Sequence, residues 1–142
     1  NQGLKKDLLE NFGEKSRDEV LAWLGDFCDL NTYEISIPVL RDPTLAPEGK
    51  TGIMMSCLFD YEIFDKINKS GWHNEFKDAI EERMIRILAQ FLSLDLEKDI
   101  LFKFSTNPLT LNKKIGSSGG SIVGWSFETK SPVLNSLKDM PK

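Results

Sequence analysis

The sequence is poor in residues that bind metals or form disulfides. Its 142 residues include only two cysteines and one histidine. Cys28 and Cys57 do not form a CxxC pair, and no recognised zinc spacing joins them to His73, so we predict neither a metal site nor a disulfide framework. Both cysteines have apolar neighbours, which favours inert, buried thiols and a reducing compartment such as the cytoplasm.

Long apolar runs and a strong charge of either sign are also missing. No stretch approaches the roughly 18 consecutive apolar residues that a membrane-crossing helix needs. The net charge is −4 and the sequence has no basic cluster, so we expect no nucleic-acid partner. The length is typical of one ordinary domain, and we predict a single domain over residues 1–142.

Motifs for nucleophilic or acid–base catalysis are equally scarce. His73 opens a helical pattern, and no serine or cysteine near it has the context of a nucleophile elbow, so we predict an exposed histidine at a helix start. The acidic groups at residues 60–65 and 95–99 lack the twelve-residue pattern of a calcium loop and are interpreted as solvated loops. No catalytic residue is therefore assigned.

Helical periodicity is clear in several parts of the chain. Ser16 and Glu19 have the spacing of a capping box, which predicts a helix over residues 18–27 after a first helical segment. The strongest apolar stripe predicts a helix over residues 72–92. A short helical turn is expected from Pro108 onward.

Three segments have the patterns of strands. Apolar and polar residues alternate over residues 33–39 and again over residues 100–105, and residues 51–60 are apolar on both faces, which is typical of a central strand. Pro38 should lie near the end of its strand or on a sheet edge, because it has no amide proton to donate. Since no regular βαβ alternation is present, we predict an α+β fold, with a mostly antiparallel sheet of three or more strands covered by helices.

A cluster of glycines is the most distinctive feature that the chain does contain. Four glycines lie within nine residues and Trp125 closes the run: Gly116, Gly119, Gly120 and Gly124. The cluster matches neither the P-loop pattern nor the dinucleotide fingerprint. Close approach of the backbone to a flat ring or an apolar chain fits it better, and a plain hairpin turn is the alternative.

Four stretches together carry a resemblance to a known family. They are Asp-Pro-Thr-Leu-Ala-Pro-Glu-Gly-Lys at residues 42–50, Trp72 with Phe76 and Lys77, Thr-Asn-Pro-Leu-Thr at residues 106–110, and the glycine segment at residues 119–125. In order and spacing they resemble the phytoene desaturase and retinol saturase group of FAD-dependent oxidoreductases. The resemblance covers residues from about 33 to 125.

The resemblance implies a two-domain flavoprotein in which the flavin performs the redox chemistry. This chain resembles the substrate-binding domain. The FAD-binding Rossmann parts of that group, including the GxGxxG fingerprint, are absent from this sequence, so the chain is expected to be an inactive fragment of a larger enzyme whose FAD-binding domain is its partner.

The resemblance also implies two sets of site residues. Those expected to face the FAD are Gly119, Gly120, Gly124 and Trp125. Those expected to contact an apolar substrate, of an isoprenoid type such as a carotenoid or retinoid, are Met54, Met55, Phe59, Phe102, Phe104 and Thr110. Ordinary core packing is the alternative for the methionines and phenylalanines.

A second interpretation belongs to another class of protein. The chain could be a free-standing α+β binding or interaction module without catalytic activity, in which the apolar helix over residues 18–27 docks a partner. The enzyme interpretation predicts self-association of the isolated fragment through the apolar surface left by its missing half. An apolar substrate is also compatible with peripheral contact with a membrane.

Overall fold

Helices make up most of the architecture. The structure, a computed structural model, describes residues 2–92 and 95–122. Its helices are α1 (Gln2–Glu10), α2 (Arg17–Asp29), α3 (Tyr61–Lys69), α4 (His73–Leu92), α5 (Leu96–Asp99) and α6 (Pro108–Ile115). Two short strands, β1 (Glu34–Ser36) and β2 (Met54–Ser56), lie between α2 and α3 in the chain.

Local capping interactions set the beginning of three helices. The predicted capping box at α2 is confirmed, since the Ser16 side chain accepts a hydrogen bond from the Glu19 amide and the Glu19 carboxylate accepts one from the Ser16 amide. Asp60 caps α3 through the amide of Glu62. Asn107 caps α6 in the same way. Each cap satisfies an amide that has no partner inside its own helix.

The hydrophobic core lies between the helices. Side chains from five of them meet there: Leu8, Val20, Trp23, Leu24, Phe27, Cys28, Ile63, Phe64, Ile67, Phe76, Ile80 and Leu109, together with Trp72 just before α4. Phe76 is fully buried, and the rings of Phe59, Phe64 and Trp72 pack around it with centroids 5.5 to 6.0 Å away. Edge-to-face contacts of this kind add to the free energy gained from burial.

The long helix α4 matches the prediction for residues 72–92 and lies against α2. Their packing is close at Gly25, where an added Cβ would lie 2.5 Å from a guanidinium nitrogen of Arg83. Phe76, Ile80 and Leu88 are buried along the α4 stripe, whereas Phe91 near its end is 76% exposed. The apolar stripe therefore contributes to the core over most of its length but not at its last turn.

The predicted α+β fold, with its sheet of three or more strands, is wrong, because the described residues are mostly helical. Within the described residues there is one antiparallel pair, β1 with β2, in which Ile35 lies opposite Met55. Pro38 begins a 3₁₀ turn (Pro38–Leu40), so the predicted strand at residues 33–39 ends at Ser36. Of the predicted central strand at residues 51–60 only β2 is a strand, and Asp60 at the end of this segment caps α3 instead.

The third predicted strand, at residues 100–105, is not a strand in the structure. Its backbone does not join a sheet, and its polar side chains contact α4. Lys103 Nζ lies 3.6 Å from one carboxylate oxygen of Glu81, and the Ser105 hydroxyl donates a hydrogen bond to the other carboxylate oxygen. Phe102 and Phe104 face outward with their rings nearly parallel, 6.5 Å apart. Two residues of an extended chain advance by roughly 6.6 Å, which is close to the distance between the two rings. Phe102 and Phe104 therefore lie on the same side of the segment, as the predicted alternation requires, although the segment is not a strand.

Candidate functional site

Three parts of the chain meet at one end of the helical body. They are the start of α4, the start of α6, and a 3₁₀ turn within the glycine cluster (Ser118–Gly120). The turn packs against α6 and α3, and α3 packs against both α4 and α6. We call this meeting point the junction and define it by His73, Asn107, Pro108 and Gly120.

Asn107 is the centre of the junction. It is a buried polar residue, only 6% exposed. Its Oδ1 accepts hydrogen bonds from the Thr110 amide at 2.9 Å and from the Thr110 hydroxyl at 3.2 Å. Its Nδ2 lies 3.3 Å from Nε2 of His73. One side chain thus caps α6 and links it to the first residue of α4, 34 positions earlier in the chain.

His73 is half-buried, not exposed as the sequence predicts for a histidine at a helix start. Its ring lies 5.9 Å from the ring of Phe64 on α3. Burial lowers the pKa of His73, and the positive charges of Lys113 and Lys77 lower it further. Its Nδ1 atom is buried and has no hydrogen-bond partner among the described residues. The neutral imidazole is therefore the favoured form in the folded protein.

The glycine turn packs tightly on the first residue of α6. Gly120 is buried with φ of +67°, and a Cβ added there would lie 2.3 Å from the carbonyl oxygen of Pro108. Gly119 also has a positive φ of +58°, but nothing lies within 4 Å of the position its Cβ would take. Gly120 therefore allows the contact between two backbones, whereas Gly119 leaves open space beside the chain.

A side chain of α6 holds Ser117, the residue that precedes the glycine turn. Asn112 Nδ2 donates a 2.9 Å hydrogen bond to the carbonyl oxygen of Ser117. Gly116 ends α6 in the left-handed conformation, and its amide bonds to the carbonyl oxygen of Asn112. The Ser117 hydroxyl is buried without a hydrogen-bond partner in the described part of the chain. The turn is thus held to α6 at both of its ends.

A groove of about 420 Å³ lies beside the junction. Its lining includes Trp72, His73, Arg17 and Glu75. Arg17 is paired with Glu75 at 3.2 Å and lies over the Trp72 ring at 5.6 Å, so an ion pair and a cation–π contact occupy its edge. This polar lining is unlike the apolar wall expected for an isoprenoid substrate.

The predicted site residues lie in several parts of the molecule. Met54 and Met55 belong to β2, Thr110 lies in the first turn of α6, and Phe59 packs among the core aromatic rings. Phe102 and Phe104 are 80% and 81% exposed. Gly119 and Gly120 form the turn at the junction, while Gly124 and Trp125 lie outside the described residues. The roles predicted for all these residues remain predictions.

Two residues of the junction, Asn107 and His73, are not among the site residues that the sequence predicts. An Asn-Pro-Leu-Thr sequence has the composition of a helix start, with a capping side chain before a proline, so the role of Asn107 as a cap was visible in the sequence. The partnership of Asn107 with His73 had no local signal, because the two residues come from separate helices. That partnership is what turns a helix cap into a tertiary contact.

Glu81 forms a second polar cluster farther along α4. Its carboxylate accepts from Ser105 and lies 3.1 Å from Lys77 Nζ. Burial acts to raise the pKa of Glu81, but the hydrogen bonds from Ser105 and Lys77 and the charges of Lys77 and Lys103 outweigh it, so the net shift is downward. Glu81 therefore stays ionised, and its contacts hold residues 100–105 against α4.

Metal-binding and membrane-spanning features are absent from the part of the chain that the structure describes. No group of three or more His, Cys, Asp or Glu side chains there could hold a metal ion. Across residues 2–92 and 95–122, no helix combines the length and the apolar character needed to cross a membrane. Comparison with protein-family models, curated proteins and solved structures finds no match to this chain.

Proposed function

We propose that this chain is the substrate-binding part of an FAD-dependent oxidoreductase that dehydrogenates or isomerises an apolar, extended substrate. The observation that supports it best is the junction. Three of the four stretches that carry the family resemblance come together there: the helix start at Trp72, the segment at residues 106–110, and the glycine turn. The three stretches come from separate parts of the sequence and adjoin in the folded chain, as the residues of one binding site must.

The glycines of the junction allow a simple test of whether a flavin fits. A flat ring needs open space beside the backbone, and the space beside Gly119 is open whereas that beside Gly120 is filled by Pro108. Of the two glycines of the turn, Gly119 is therefore the one that would lie against the ring, and Gly120 would hold the turn in position. The flavin, when bound, would supply the hydride-transfer chemistry. The residues of this chain would position the ring and exclude water.

The exposed aromatic pair supports an apolar substrate or an apolar interface with the FAD-binding domain. Phe102 and Phe104 lie side by side, and Leu101 before them is 72% exposed. Their polar neighbours on the same segment are tied to Glu81, so the rings face away from the helical body. Exposed apolar side chains that adjoin one another are a feature of binding surfaces.

The first experiment is purification of the product of the complete reading frame that contains this chain. The expected result is a yellow protein that releases about one FAD per chain on denaturation, as a flavoprotein does. A folded product without flavin would refute the proposal. A reading frame no longer than this chain would also count against it, because the fingerprint that binds the FAD pyrophosphate would then be missing.

A matched pair of glycine variants tests the site itself in the flavin-loaded protein. Gly119→Val places a side chain in the open space at the junction, and Gly49→Val places one at another glycine with positive φ and open surroundings. Both substitutions carry similar backbone strain. Only Gly119→Val should weaken flavin binding and turnover of a carotenoid or retinoid substrate. Equal effects of the two variants would remove the junction from the flavin site.

The exposed phenylalanines also favour a second candidate, an interaction module without catalytic activity. Its predicted docking helix at residues 18–27 contributes most of its apolar residues to the core, where Val20, Trp23, Leu24 and Phe27 are buried. A partner would instead bind at Phe102 and Phe104. A flavin-free reading frame product that binds another protein, and loses it on Phe102→Ser, would support this candidate over the enzyme.

A further inference from the structure

The hydrogen bonds of Asn107 fix the proton position on His73. A backbone amide can only donate, so the atom of Asn107 that faces the Thr110 amide must be the oxygen. The amide nitrogen of Asn107 then faces His73 and donates to it. Nε2 of His73 must accept this bond, which leaves its single proton on Nδ1, a buried atom with no hydrogen-bond partner among the described residues. The order of donors thus selects one neutral tautomer.

Protonation of His73 would remove the acceptor. An imidazolium carries a proton on both nitrogens, so Nε2 would point an N–H group at the N–H group of Asn107. Asn107 has no favourable alternative, because turning its amide over would place its nitrogen against the Thr110 amide. Either the contact with His73 or the cap of α6 must then break.

We infer that the Asn107–His73 hydrogen bond is a proton-sensitive latch, which holds the start of α6 and its glycine turn against α4 and opens when His73 is protonated. The glycine turn is coupled to the latch because Gly120 packs on Pro108, the residue next to Asn107. The inference stands on the hydrogen-bond geometry and does not require the proposed flavin site.

The charged groups around His73 determine how readily its imidazole is protonated. Lys113 on α6 and Lys77 on α4 oppose protonation, and α3 presents the uncharged ring of Phe64. On the groove side, Arg17 from α2 and Glu75 from α4 neutralise one another as an ion pair. No carboxylate in the described residues forms an ion pair with His73, so nothing there compensates the imidazolium. The latch should therefore open only below the pH at which a free histidine titrates.

The tautomer can be read directly by NMR, since His73 is the only histidine of the chain. A long-range ¹H–¹⁵N spectrum at about pH 7.5 should show a protonated Nδ1 and an unprotonated Nε2. On acidification the imidazole should titrate with a midpoint below about 6.5, the ordinary value for histidine. A protonated Nε2 at the higher pH, or a midpoint at or above that value, would overturn the inference.

The backbone amides of Thr110 and Gly120 report whether the latch itself opens. Their signals should shift with the same midpoint as the imidazole. Amide signals that stay fixed while His73 titrates would show that protonation leaves the junction closed, which would also overturn the inference. This measurement uses the native chain and needs no variant.

Two substitutions give opposite expected results. His73→Gln offers an amide oxygen in place of Nε2 but does not titrate, so the Thr110 and Gly120 signals should lose their pH dependence between about pH 7.5 and 5. Asn107→Asp keeps an oxygen for the Thr110 amide and turns a carboxylate to His73, which favours the imidazolium. The proton affinity of His73 should then rise about tenfold or more. A midpoint that stays unchanged in this variant would contradict the latch.

Discussion

Gly120 lies against the backbone of Pro108 so closely that no side chain fits between them. An added Cβ would lie 2.3 Å from the Pro108 carbonyl oxygen and 2.6 Å from its Cα atom. Both of these are backbone atoms, so they cannot move aside by a change of rotamer. The glycine is therefore a condition for the contact between the turn and α6, in addition to supplying the positive φ of the turn.

Gly120→Ala should destabilise the protein more than Gly119→Ala. Both residues have a positive φ, and an alanine there costs about 1–2 kcal/mol of unfolding free energy. Gly120→Ala should lose about 1–3 kcal/mol more, because the Pro108 backbone must shift. Urea denaturation of the two variants measures the difference. Equal losses would mean that the turn can leave α6 without cost.

Glu81→Gln should weaken the protein at neutral pH. The variant keeps an acceptor for Ser105 but loses the negative charge beside Lys77 and Lys103, and we expect a loss of about 1–2 kcal/mol. Glu82→Gln is the matched control, because Glu82 is the exposed neighbour on the same helix. Chemical denaturation at about pH 7 compares the two, and Glu82→Gln should change stability by less than about 0.5 kcal/mol.

The Glu81 contribution should also depend on pH in a defined direction. Because the pKa of Glu81 is lowered in the folded state, its contribution is fully present above the unfolded-state pKa of about 4.3 and is lost as the pH falls through the folded-state value. The stability gap between the native protein and Glu81→Gln should therefore close on acidification below about pH 4.3. A gap that is constant with pH would contradict the assignment of the lowered pKa to this carboxylate.

Replacing the exposed aromatic pair should change association but not folding. The double variant Phe102→Ser and Phe104→Ser removes two exposed rings, so its unfolding free energy should stay within about 0.5 kcal/mol of the native value. Phe76→Ala, at a fully buried ring, should lose about 3–5 kcal/mol. Sedimentation of the native chain should show concentration-dependent self-association that the double variant lacks. A native chain that remains monomeric at high concentration would contradict the prediction.

Cys57 should react slowly with alkylating agents. Burial, with a smaller effect of Cys28, raises the pKa of the Cys57 thiol to about 11, and only the thiolate is reactive. At about pH 8 its alkylation should be on the order of 100-fold slower than that of a free thiol with a pKa near 8.5. Mass spectrometry of iodoacetamide-treated protein measures the rate. The same cysteine in denaturant should react at the ordinary rate, and a fast native reaction would contradict the raised pKa of the Cys57 thiol.

The helices whose signals are local could be predicted from the sequence. The capping box of Ser16 and Glu19, the long stripe of α4 and the proline at the start of α6 each lie within a few residues of the structure that they specify. The sequence does not predict helix α3, because residues 51–60 have the pattern of a strand and the acidic group at residues 60–65 that of a solvated loop. Its buried side chains, Ile63, Phe64 and Ile67, nevertheless have helical spacing.

The two paired strands lie within predicted segments, but the extent of the sheet could not be predicted, because a strand needs a partner that the local pattern does not identify. Residues 100–105 have the correct alternation, yet Lys103 and Ser105 bond to Glu81 of α4. The junction has the same limit. The cap by Asn107 is a local feature, but its bond to His73 joins residues 34 positions apart, and only the packing of α4 and α6 on α3 brings them together.

His73 and Glu81 both belong to α4, so the helix fixes their relative positions. Glu81 lies eight positions after His73, which is about 12 Å along the axis. The length of this part of α4 therefore sets the distance between the glycine turn, which lies at the junction with His73, and the exposed phenylalanine pair, whose segment is bonded to Glu81. Inserting one residue in this interval would rotate Glu81 by about 100° relative to His73. The number of residues in this part of α4 should thus be as strictly constrained as the identity of either side chain.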